Sequence, residues 1–99
     1  MATKKLKVIY KPRADRHIFE IMLYIAQKGY PDTAIQFYNE LYNFGNSLVV
    51  FPEKYPISRH EKFRKRNLRC APYKNYIFIY EVSGDKLVIY NVVHGRAIY

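Results

Sequence analysis

Three apolar runs in the last third of the chain constrain its fold most tightly. They are Asn67-Leu68-Arg69, Tyr76-Ile77-Phe78-Ile79-Tyr80 and Val88-Ile89-Tyr90-Asn91-Val92-Val93, the last running straight into His94-Gly95-Arg96. Stretches rich in Ile, Val, Tyr and Phe and punctuated by turn residues read as neighbouring strands, and Ser83-Gly84-Asp85 reads as the hairpin turn between two of them. The expected product is an antiparallel sheet that brings an imidazole and a guanidinium to one place.

The phase of the side chains adds a demand. Tyr76, Phe78, Tyr80 and Val82 alternate with Ile77 and Ile79; in the next run Leu87, Ile89 and Val93 oppose Val88, Tyr90 and Val92. Both faces of the sheet are therefore apolar. One helical layer covers only one face, so the other needs a loop, a terminus or another chain.

Upstream, Leu6, Val8 and Tyr10 alternate with Lys7, Ile9 and Lys11, the pattern of a short edge strand guarded by lysines. Pro12 suits the first turn of a helix. Ala14, Ile18, Ile21, Met22 and Ile25 then recur at helical spacing up to a stop near Gly29. Asp32 or Thr33 offers a cap for a second helix with its stripe at Ala34, Phe37, Leu41, Phe44 and Leu48, closed by Phe51-Pro52. The short link Lys28-Gly29-Tyr30-Pro31 predicts an antiparallel helical hairpin. The fold expected is α+β: an N-terminal edge strand, an antiparallel helical hairpin and a three-stranded antiparallel sheet, in one domain over residues 1–99. The polar segment 53–67 reads as a loop with one helical turn.

Charge narrows the partners. The 99 residues carry a formal +9, and Arg59, Lys62, Arg64, Lys65 and Arg66 crowd one stretch with only Glu61 opposing. Such a field favours acidic partners: nucleic acid, an acidic protein segment or an anionic surface. Arg59 to Arg69 could hold phosphates while Tyr73 and Tyr76 stack on bases, or could dock an acidic peptide. The single cysteine, Cys70, excludes an intramolecular disulfide and reads as strand filler in a reduced compartment. No secretory leader is evident at the start and no apolar run approaches a membrane span, so a cytoplasmic protein without membrane partners is expected.

Catalytic constellations are sparse. The eight carboxylates form no evident pair, His17, His60 and His94 lack metal-ligand spacing, and the four glycines are isolated. No metal or other cofactor is expected. Metal-free RNA cleavage needs a base, cations for the crowded phosphate and an acid for the leaving oxygen; Arg69, His94, Arg96 and Tyr99 are the right residue types.

The order strand, helical hairpin, hairpin sheet and terminal His-Gly-Arg resembles the RelE/ParE superfamily of type II toxin–antitoxin toxins over nearly the whole chain. The Ala14 to Ala26 segment resembles the ParE first helix, although His17 stands where that family usually has Asp. Ala34-Ile35-Gln36-Phe37, Leu41, Leu48 and Phe51-Pro52 resemble its second helix. Leu68-Arg69, Tyr73, Tyr76 to Tyr80 and Val92-Val93-His94-Gly95-Arg96 resemble its sheet.

The resemblance implies either inhibition of DNA gyrase by binding, as in ParE-like members, or cleavage of ribosome-bound mRNA, as in RelE-like members. The nucleases commonly carry an arginine just after the first tyrosine of the Tyr-x-x-x-Tyr strand, where this chain has Ile77, and tend to place a catalytic tyrosine further along a C-terminal extension. The resemblance therefore favours the ParE branch: a growth-arresting toxin, not an enzyme, with gyrase as target. A cognate antitoxin would neutralise it through a flexible, often acidic segment. An mRNA interferase and a degenerate non-toxic member remain alternatives. The binding residues expected are Arg64, Lys65, Arg66, Arg69, His94 and Arg96, with Arg69, His94, Arg96 and Tyr99 at one sheet end as the nuclease set.

Overall fold

The computed structural model describes residues 6–97. Strand β1 (Lys7–Tyr10) leads into helices α1 (Pro12–Gln27) and α2 (Pro31–Ser47). A single helical turn, α3 (Glu61–Arg64), precedes strands β2 (Arg69–Tyr73), β3 (Tyr76–Ser83) and β4 (Lys86–His94), and a 3₁₀ turn covers Gly95–Ala97. The expected α+β order holds. The sheet differs in one respect: β1 joins it, giving a four-stranded mixed sheet of order β1-β4-β3-β2. β1 runs parallel to β4, with Val8 opposite Leu87 and Tyr10 opposite Ile89, while the other pairings are antiparallel.

Local chemistry accounts for the helices. Pro12 and Pro31 both sit in the first turn, where the missing N–H costs nothing. The expected cap at Asp32 or Thr33 is not used: α2 starts one residue earlier, behind Tyr30, with no side-chain cap bond. Asp32 instead lies in the first turn, where its charge favours the helix dipole. α2 also ends before Phe51-Pro52. The Ser47 hydroxyl donates to the Phe44 carbonyl at 2.6 Å, and Leu48 N–H turns back to Gly45 at 3.2 Å, tightening the last turn. Gly29 adopts φ +96°, the left-handed stop expected of it.

The hairpin packs on one face of the sheet. Ala14, Ile18, Leu41 and Leu48 meet Ala71, Phe78, Tyr80, Leu87, Ile89 and Val92 in the main core. The second face holds a smaller cluster of Leu68, Ile77 and Ile79, with Phe63, Cys70, Tyr90 and Val93 against it. The cover that the second face required is thus supplied in part by the chain itself, through Phe63 of α3.

The phase read from sequence fails in β4, for a definite reason. Ile79 pairs with Asn91 but Tyr80 pairs with Ile89, so Tyr90 is an extra residue in a β-bulge. Beyond the bulge the alternation inverts. Val92 joins Leu87 and Ile89 in the helix-side core, and Val93 joins Tyr90 on the second face. Past Ile89 the β1 pairing also ends, and the bare edge is blunted locally. His17 Nδ1 donates to the Val92 carbonyl at 3.2 Å, and Val92 N–H donates to the Asn91 side chain at 2.9 Å. His17 must carry its proton on Nδ1, because a carbonyl only accepts.

Candidate functional site

Two clusters of cations emerge, one on the second face of the sheet and one at its end. On the second face a groove of about 380 Å³ runs between α3 and the start of α1. Its apolar wall comes from Phe63, Leu68, Ile79 and Val93, and its cations are Lys11, Arg13, Lys62 and Arg66. Tyr90 also lines it. The Arg66 guanidinium lies 5.0 Å from the ring centroid and the Lys11 ammonium 5.9 Å, both within cation–π range. The Tyr90 hydroxyl donates to Glu81 at 2.5 Å, and that bond, helped by burial, raises its pKa above the usual phenol value. Alternation after the core residue Ile89 places Tyr90 on the second face, and the bulge brings Val93 to the same side.

Among the described residues the only ion pairs are Lys65–Glu61 at 3.7 Å and Lys74–Glu40 at 3.5 Å, so none of the four groove cations has a carboxylate partner. Four unpaired cations around an apolar wall favour an occupant with carboxylates beside apolar side chains.

The second cluster surrounds the β2–β3 turn. Lys74, His94 and Arg96 line a cavity of about 410 Å³ with Asn75, Tyr76 and Ile77. Arg96 N–H donates to His94 Nδ1 at 3.2 Å, which leaves Nε2 of the neutral ring as the hydrogen-bearing nitrogen. Lys74 takes φ +55° in the tight turn, and its ammonium lies 5.2 Å from the Phe37 ring.

The expected residues divide accordingly. His94 and Arg96 stand together. Arg69 does not join them: it pairs with Tyr80, whereas His94 pairs with Tyr76 and Tyr76 with Tyr73. Those four positions put it about 13 Å along the sheet. Its guanidinium is also engaged, donating to the Tyr55 carbonyl at 2.7 Å. Of the basic triplet, Arg66 enters the groove, Lys65 pairs with Glu61 on the surface and Arg64 is exposed. Tyr99 lies outside the described residues. Ile77 is buried in the second-face cluster among Leu68 and Ile79. Cys70 is half-buried there, and burial pushes its thiol pKa up against the lowering effect of a bond with Ser58.

Sequence reading missed Lys11, Arg13, Lys74 and Tyr90. Lys11 and Arg13 flank Pro12 more than forty positions before the basic segment, and only the β1–β4 pairing brings them together. Lys74 carried a signal: a residue between two strand-like runs at a two-residue turn. Among the described residues no group of three or more His, Cys, Asp or Glu is placed to hold a metal ion, and no helix is long and apolar enough to cross a membrane.

Comparison with known proteins agrees with this architecture. A solved structure described as the chromosomal ParDE toxin–antitoxin system from P. aeruginosa superposes with a TM-score of 0.77 at 11% sequence identity, covering 93% of this chain and 98% of that one. At that identity the likeness shows the fold. No curated protein matches the chain. The family model for the ParE toxin of the type II toxin–antitoxin system parDE matches residues 8–99. All of β1 but Lys7, the helical hairpin, the rest of the sheet and the His-Gly-Arg end fall inside that match, and the chain belongs to the ParE toxin family.

Proposed function

We propose that this chain, as one toxin domain over residues 1–99, arrests growth by binding DNA gyrase and is neutralised by a cognate antitoxin. The observation that carries the choice is Ile77. At the position where ribosome-dependent nucleases commonly hold an arginine, this chain has a side chain only 5% exposed, locked in an apolar cluster. It cannot stabilise a crowded phosphate. Arg69 is drawn off to the Tyr55 carbonyl, away from His94 and Arg96. Inhibition by binding needs none of that machinery. His94 and Arg96, with Lys74, are the surface expected to touch the target.

The second-face groove is the place expected for the antitoxin. A flexible acidic segment would set carboxylates against Lys11, Arg13, Lys62 and Arg66 and apolar side chains against Phe63 and Val93. A second reading, mRNA cleavage, rests on His94 and Arg96 standing side by side.

Gyrase-driven DNA supercoiling with purified, antitoxin-free protein separates the readings. Loss of supercoiling together with trapped cleaved DNA is expected. Unimpaired supercoiling, combined with codon-specific cuts in ribosome toeprinting, would replace gyrase inhibition by the nuclease reading.

A further inference from the structure

A slot between α1 and the end of β4 adjoins the sheet-end cations, yet its chemistry is the reverse of theirs. Its volume is about 300 Å³. His17, Glu20, Ile21 and Tyr24 recur at the three- and four-residue spacing that sets them on one face of α1, and Tyr76 and His94 close the slot from the sheet. In a chain of +9 this slot is lined by a carboxylate and by no Lys or Arg. The basic groove and the sheet-end cavity are lined by four cations and by two, with no carboxylate in either. Among the described residues Glu20 has no ion-pair partner.

The neighbouring groups favour a cation as well. His17 Nδ1 donates to the Val92 carbonyl at 3.2 Å, so Nε2 of the neutral ring is an acceptor. Tyr76 stands edge-on to His94, with ring centroids 5.5 Å apart. Burial and then the nearby Tyr24 hydroxyl raise the Tyr76 pKa, so the two phenols converge. The Lys28 ammonium, outside the slot, lies 4.9 Å from the Tyr24 ring centroid, so that ring already draws a cation.

A carboxylate, a bare imidazole nitrogen and two phenol rings beside Ile21 suit a long cationic side chain. Its head meets Glu20 and its hydrocarbon stem lies on the rings. Arginine suits better than lysine, because a planar guanidinium can hold a carboxylate by two parallel hydrogen bonds while lying against a ring.

We propose that this slot takes an arginine of the protein that meets His94 and Arg96. The inference rests on the reading of that sheet end as the target surface. Tyr76 and His94 line both cavities, so one continuous surface holds a seat for a cation beside a seat for an anion. Such a surface matches a protein that sets an arginine next to a carboxylate. A nucleic acid has no side chain of that kind to offer. Its phosphates would fill the side of Lys74 and Arg96 and be repelled by Glu20.

Nuclear magnetic resonance titration with N-acetylarginine amide tests the seat by itself, with the neutral isostere N-acetylcitrulline amide as control. The arginine probe is expected to shift the amide resonances of His17, Glu20, Tyr24 and His94 at millimolar concentration. The citrulline probe and the Glu20→Gln variant are each expected to bind about fivefold more weakly. Asp85→Asn, at the exposed β3–β4 turn, is expected to leave binding unchanged. The proposal is overturned by no shift up to about 50 mM probe, by citrulline binding as tightly as arginine, or by undiminished binding to Glu20→Gln. Gyrase supercoiling supplies the second arm. Glu20→Gln, with unaltered circular dichroism, is expected to need about tenfold more protein to inhibit, since docking takes the pair out of water. Equal inhibition by parent and variant removes the slot from the target surface and also overturns the proposal. A parent chain that leaves gyrase unimpaired refutes the gyrase reading instead, and the arginine titration still decides the slot.

Discussion

Two glycines show how position decides what a residue is for. Gly45 lies in α2, where Gly→Ala ordinarily stabilises by about 1 kcal/mol. Here a Cβ would run into the Tyr10 hydroxyl and stand 3.0 Å from Ile89 Cδ1 and 3.2 Å from Phe78. The Tyr10 hydroxyl is held by Asn46 at 2.7 Å and by the Tyr42 carbonyl at 3.1 Å, so it has nowhere to retreat. Gly45→Ala is expected to destabilise by about 1–3 kcal/mol, read as a fall in Tm. At Gly95 a Cβ would meet only the Asn75 carbonyl at 3.5 Å and Ile77 at 3.8 Å, ordinary contact. Gly95→Ala is expected to leave Tm nearly unchanged, and growth arrest lost without loss of Tm would mean that a partner approaches the backbone there. The two arginines divide likewise. Arg69→Ala removes the bond to Tyr55 and is expected to lower Tm. Arg96→Ala, exposed beyond β4, is expected to keep Tm and weaken growth arrest. Full arrest by the Arg96 variant would remove that residue from the target surface. From sequence these arginines looked alike, because a side chain's hydrogen-bond partner is a property of the fold.

At the scale of elements the sequence was legible wherever the signal is local. The 3.6-residue stripe of α1, the proline starts, the stop at Gly29 and the turn at Gly84, which takes φ +62°, all follow from neighbours a few positions away. The bulge at Tyr90 was hidden because Tyr90, Val92 and Val93 are all strand formers and Asn91 alone breaks the run. Nothing in its composition marks which residue is extra, and the partner strand decides. That one residue turns Val92 to the helix side and Val93 to the second face, where it joins Tyr90 in the wall of the groove. Segment 53–67 was likewise readable as a basic loop with one turn but not as a cover. Phe63 packs on the second-face cluster and Arg66 lies over Tyr90, while Arg59, Lys62, Arg64 and Lys65 face solvent. Phe63→Asp is expected to release this cover without unfolding the main core. Trypsin would then cut after Lys62, Arg64, Lys65 or Arg66 markedly faster than in the parent chain. Equal cutting rates would mean that Phe63 does not hold the segment down.

At the scale of the molecule, the core is tied together by tyrosine hydroxyls as well as by apolar contact, and this gives the fold an alkaline limit. Tyr80 is fully buried and donates to the Pro52 carbonyl at 2.7 Å, anchoring the chain after α2 to the sheet. Tyr42 donates to Asp15 at 2.6 Å across the hairpin, and Tyr10 reaches from β1 into α2. Burial raises the pKa of Tyr80 to about 12, against the lowering effect of Arg69. Burial raises Tyr10 and Tyr42 further, in both cases with the Asp15 carboxylate adding to the effect. The sign follows directly. A phenol that holds its proton more tightly in the folded chain than in the unfolded one stabilises the fold fully while both states are protonated. That contribution is lost as pH rises from the unfolded value near 10 toward the folded one near 12. Stability to denaturant is therefore expected to be flat with respect to these groups up to about pH 10 and to fall steeply above it. The tyrosinate absorbance contributed by Tyr10, Tyr42 and Tyr80 should therefore rise together with loss of helical circular dichroism. Tyr80→Phe leaves the Pro52 carbonyl without this donor but removes one buried ionisation. It should lower stability at pH 7 and make the decline above pH 10 shallower, a pair of opposite changes that loss of packing alone would not produce.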